Sequence, residues 1–78
     1  MEINPIKTNV TEIEANGKKV LFSYQTPVAA LIDGEYVRTS KKWSMTTTKH
    51  INQWIDGAEA DEVSQEYLEK LIEEGANE

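Results

Sequence analysis

The residues with the most chemical capacity in this chain lie between Tyr36 and Ile55. That stretch holds Arg38, Lys41, Lys42, Lys49 and His50 and no acidic residue. Tyr36, Trp43 and Trp54 are interleaved with them, and hydroxyls are dense, from Tyr36, Thr39 and Ser40 to Ser44, Thr46, Thr47 and Thr48. Cationic and aromatic side chains in this pattern suit two kinds of partner. An anion can sit on backbone N–H groups where a helix begins beside Lys41-Lys42. Nucleic-acid bases can stack on aromatics set among basic residues. Arg38, Lys41, Lys42, Trp43, Lys49 and His50 therefore form the candidate contact surface. A plainer account stands beside it: Trp54 and Ile55 as the buried stripe of a helix, the threonines as capping, and the lysines as solubilising charge. Trp43, at a loop-to-helix junction, fits either a wedge that holds the helix on a sheet or an exposed contact.

Catalytic chemistry finds little support. A nucleophile needs a base that is itself oriented by a third group. The single His, His50, has Ser40 and Ser44 nearby in sequence, but the motif context that triads carry is missing. Carboxylates are plentiful toward the C-terminus, where their run reads as a solvated helix face. Gly17, Gly34, Gly57 and Gly75 each fall at a turn or helix end, so no phosphate-cradling loop is formed. One His and no Cys exclude a structural zinc site of the Cys/His kind. The expectation is a protein that is not an enzyme and needs no cofactor.

The elements that must position these residues come from a chain of 78 residues, which allows one domain, 1–78, with residues 1–8 and 75–78 expected at frayed ends. A chain of this size buries only about 60% of the surface its unfolded form exposes, so the core is thin and a homodimer interface would add to it. The net charge of −6 is uneven. Residues 1–50 carry seven basic and five acidic residues, and residues 51–78 carry nine acidic residues and only Lys70. Phosphates would be repelled by that C-terminal third, which argues against nucleic-acid binding by the whole surface and leaves a local basic site open. No stretch approaches the roughly 18 apolar residues of a membrane helix. Residues 1–8 lack an apolar signal-peptide region, and the expected compartment is the cytoplasm, with no membrane partner.

Asn16-Gly17 predicts a two-residue hairpin turn that sets Ala15 opposite Lys18, Glu14 opposite Lys19 and Ile13 opposite Val20. Asp33-Gly34 predicts a second hairpin over residues 28–39, and Pro27 marks a strand start, an edge or a bulge. The period then changes. Ser44 or a following Thr caps a helix over 46–55 that Gly57 ends, and Ala58–Glu62 reads as an acidic loop. Ser64 caps a helix over 65–74, with Val63 and Leu68 at hydrophobic-staple spacing and Gly75 as its stop. The fold class is α+β: a small antiparallel sheet of three or four strands in two hairpins, then two helices packed on it. Val20, Phe22, Ile51, Trp54, Leu68 and Leu71 are expected to share one core.

Three segments carry a likeness beyond pattern: Tyr24-Gln-Thr-Pro-Val-Ala29, Lys42-Trp-Ser44 and Thr47-Thr-Lys-His-Ile-Asn-Gln-Trp-Ile55. Across residues 20–57 the chain resembles a family of small uncharacterised proteins found in phages and plasmids. The resemblance implies a mobile-element protein acting in the host cytoplasm and brings no activity with it. Small size, an acidic amphipathic C-terminal helix and the missing catalytic apparatus point to a protein-interaction module that modulates a host or phage protein, with the acidic helix able to occupy a basic groove on it. The alternative is a nucleic-acid binder using residues 36–55.

Overall fold

The computed structural model describes residues 2–15 and 17–76. The elements are β1 (Glu2–Lys7), β2 (Val10–Ala15), β3 (Lys18–Ser23), β4 (Thr26–Ile32), β5 (Glu35–Thr39), α1 (Met45–Ile55), β6 (Ala60–Val63) and α2 (Gln65–Ala76). The strands form one sheet in chain order, β1-β2-β3-β4-β5-β6. The first five pair antiparallel, as tight turns dictate. β6 lies parallel to β5, which no tight turn can achieve, and α1 is the crossover between them.

The α+β class therefore holds, with six strands in place of three or four. β1 lies within the segment expected to fray. It is an exposed edge strand with Pro5 inside it and a register break between Pro5 and Lys7, so its alternation is weak. Asn9, at φ 64°, closes its turn to β2. β6 falls in the stretch read as an acidic loop. Its two central residues, Asp61 and Glu62, are exposed, and its partner β5 is reached only through α1. At the other end α2 passes through Gly75, the expected stop, to Ala76. A single glycine inside a helix costs about 1 kcal/mol relative to alanine, which lowers helix stability without forcing an end. Residues 77 and 78 lie outside the described residues.

Both hairpin registers agree with the turn signals. Ala15 faces Lys18, Glu14 faces Lys19, Ile13 faces Val20 and Thr11 faces Phe22. Asn16 itself lies outside the described residues. At the second hairpin, Ile32 faces Glu35 across Asp33 and Gly34, whose φ values of 51° and 81° are the paired positive angles of a type I′ turn. Pro27 sits beside a bulge in β4, since Leu21 faces Ala29 while Phe22 faces Pro27.

The expected single core is instead two. Successive strand side chains point to opposite faces. Leu21 packs with Val10, Val28, Ala29, Ile51 and Ile55 under α1, while its neighbour Val20 packs with Ala30 and Leu68 under α2. Ile51 and Trp54 thus belong to one face, and Val20, Phe22, Leu68 and Leu71 to the other. Central strands covered on both faces read as continuous apolar runs, and Val28-Ala29-Ala30-Leu31-Ile32 of β4 is such a run. Ala29 and Ala30, both fully buried, are small enough to let a helix approach each face.

Both helices start as their sequences indicate. The Ser44 hydroxyl accepts the Thr47 N–H at 3.3 Å, and the Ser64 hydroxyl accepts the Tyr67 N–H at 3.2 Å. Asp56, left-handed at φ 53°, closes α1, and Gly57 follows at φ 82°. Among the described residues no helix is long and apolar enough to cross a membrane.

Candidate functional site

The C-terminal end of β5, the loop 40–44 and the N-terminus of α1 meet at one end of the sheet, where β6 also ends and α2 begins. Four hydrogen bonds fasten this end of the sheet. Ser40 N–H donates to the Val63 carbonyl at 2.8 Å. The Thr39 hydroxyl donates to Gln65 Oε1 at 2.8 Å and accepts the Lys41 N–H at 3.1 Å. Gln65 Nε2 in turn donates to the Pro27 carbonyl at 2.7 Å, which ties α2 to the start of β4. A strand end, a short fixed loop and a capped helix thus hold Arg38, Lys41, Lys42 and Trp43 in place.

These four residues line a groove of about 540 Å³, with Thr48, Ile51, Ala60 and Glu62 among its other walls. Arg38 donates to Asn52 Oδ1 at 3.1 Å, which directs the guanidinium along the outer side of α1. The Lys41 ammonium lies 4.4 Å from the centre of the Trp43 ring, a cation–π contact. The two remaining candidates lie elsewhere. Lys49 is exposed on α1 and does not line the groove. His50 is buried at 8% exposure and faces the sheet.

Trp43 is partly buried, as the wedge reading expects. It packs against the α1-side core, and it also borders the groove and two further recesses, one of about 210 Å³ and one of about 280 Å³. Its indole Nε1 is removed from solvent and has no hydrogen-bond partner. A buried donor without an acceptor costs about 1–3 kcal/mol. Nearby, Tyr24 adopts φ 61° in the turn between β3 and β4, and the residue is 52% exposed. A bulky residue in the left-handed region is an outlier that costs on the order of 1–3 kcal/mol.

Sequence spacing missed the hydrogen-bonded hydroxyls beneath this turn, because their partners are on different elements. His50 Nδ1 lies 2.8 Å from Ser23 Oγ, and Ser23 Oγ lies 3.1 Å from Thr47 Oγ1, which accepts from the Ser44 hydroxyl at 3.3 Å. The Tyr24 ring sits 6.1 Å from the imidazole. Burial holds the His50 pKa below its ordinary value, and the positive charge of Lys7 lowers it further. Above about pH 6.5 the imidazole of the folded protein is therefore neutral. Because the folded pKa is the lower one, His50 does not oppose folding above the unfolded value, and stability is lost as pH falls below about 6.5. Lowering the pH from about 7.5 to about 5.5 is therefore expected to reduce the melting temperature of the wild type more than that of His50→Asn, which cannot titrate. Parallel melting curves across that range would remove His50 from the pH response.

A family of unknown function, DUF8033, matches residues 1–70. The chain belongs to this family. Its span takes in every strand, α1 and the whole of the groove, so the site lies inside the family's domain. The resemblance to an uncharacterised family thus extends well beyond residues 20–57. No curated protein and no solved structure matches the chain.

Proposed function

We propose that this protein is a non-catalytic interaction module that binds an acidic segment of a partner protein in the groove bordered by Trp43. The observation that carries the reading is the convergence of Arg38, Lys41 and Lys42 on one groove beside a tryptophan that is only partly buried. Oppositely charged surfaces steer encounter and fix register, and partly buried aromatic and arginine side chains are the usual anchors of interfaces.

A nucleic acid would meet the same cations, but one feature favours a short acidic peptide: the chain carries a net charge of −6 with acids concentrated after residue 50. A long polyphosphate would be repelled by those acids, while a few carboxylates can be met locally. Among the described residues His50 and Ser23 pair a hydroxyl with an imidazole, but both are buried, neither lines the groove, and their further partners are hydroxyls. A protein of phage or mobile-element type that modulates a host protein in the cytoplasm fits this reading.

The test is capture of partner proteins from host lysate by wild type and by Lys41→Glu/Lys42→Glu, with folding followed by circular dichroism. Proteins retained by wild type and by Lys49→Glu, and lost by the folded double variant, are the expected result. Capture unchanged by the double variant would remove the groove from function. Retention of nucleic acid that weakens with rising salt would favour the phosphate-binding alternative.

A further inference from the structure

Trp43 borders two recesses of different chemistry. The groove side is cationic through Arg38, Lys41 and Lys42. The other side, about 210 Å³, is bordered by Tyr24, Val28 and Trp43 together with the hydroxyls of Ser23, Ser44 and Thr47, and no Lys, Arg, Asp or Glu lines it. Tyr24, about half exposed, stands at the left-handed first position of the two-residue turn between β3 and β4 and borders this recess. Two aromatic side chains and Val28 thus wall a recess that carries hydroxyls and no charge, which suits an apolar group.

We infer that the recess between Tyr24 and Trp43 receives one large apolar side chain of the partner, whose flanking acidic residues lie along Arg38, Lys41 and Lys42. The occupant is then an extended acidic peptide with a single apolar anchor. Because Trp43 lines both recesses, the anchor and the carboxylates are neighbours along the peptide. This inference rests on the groove reading above and adds the anchor to it.

Fluorescence anisotropy with defined labelled probes tests the two separately. The probes are a short peptide of glutamates around one central phenylalanine, the same peptide with serine at the centre, a lysine–phenylalanine counterpart and an oligothymidylate. The phenylalanine–glutamate peptide is expected to bind, and the serine version to bind roughly tenfold or more weakly, as loss of a buried aromatic implies. Tyr24→Asn provides the matching change in the protein. Asparagine tolerates positive φ, so the variant is expected to melt at or above the wild-type temperature while binding the phenylalanine peptide no better than the serine one. Equal binding of the phenylalanine and serine peptides, both lost in Lys41→Glu/Lys42→Glu, would overturn the anchor and leave the groove reading intact. Failure of both acidic peptides, or binding of the lysine peptide or the oligothymidylate in their place, would overturn both.

Discussion

Leu68→Ala is expected to destabilise the protein by about 2–5 kcal/mol, a large part of what a small domain has. Leu68 is fully buried and is the point at which α2 enters the second core, against Val20 and Ala30. Leu71, Ile72 and Val63 pack around that cluster and are only partly buried, so none of them can replace it. Ala30 is already small, and truncating Leu68 above it leaves a void that the sheet cannot close by moving one side chain. The readout is the urea midpoint, together with helical circular dichroism, which should fall early if α2 leaves the sheet first. A midpoint within error of wild type would mean that α2 contributes no packing and that the second core is not a core.

Trp54→Ala is expected to cost about 3–5 kcal/mol. The indole is partly buried under α1, meets the Tyr36 ring edge-on at 5.4 Å and donates from Nε1 to Glu12 at 2.9 Å. One side chain therefore ties α1 to β2 and β5 together. Trp54→Phe separates the contributions: it keeps the aromatic contact and loses the hydrogen bond to a charged acceptor, at about 1.5–3 kcal/mol. The two variants should rank in that order. If Trp54→Ala melts like wild type, the residue is not core and becomes a contact candidate.

Legibility in the sequence followed the range of each interaction. Hairpin registers, caps and helix starts are set by residues a few positions apart, and Asp33-Gly34, Ser44 and Ser64 announced them. β6 is set by pairing with β5 across a whole helix, and nothing local in Ala60–Val63 marks it. β1 is a proline-containing edge strand, although Asn9 at φ 64° shows that a turn signal was present. The division into two cores was also written in the chain, in the unbroken apolar run of β4, but alternation along β3 favoured a single covered face. Part of the groove lining was legible, because Arg38, Lys41, Lys42 and Trp43 are close in sequence. His50 was not, because a cationic neighbourhood in sequence said nothing about which side of α1 it occupies. Tyr24 reads as an ordinary strand aromatic until its backbone angle is known.

If partners dock on the end of the sheet around Trp43, amide and indole chemical-shift mapping during addition of the glutamate–phenylalanine peptide will show it. The largest shifts are expected at the Trp43 indole N–H and at the amides of Tyr24, Lys41 and Lys42, with α2 beyond Glu69 unmoved. Shifts centred on α2 or on β1, or a spectrum that does not change, would contradict it.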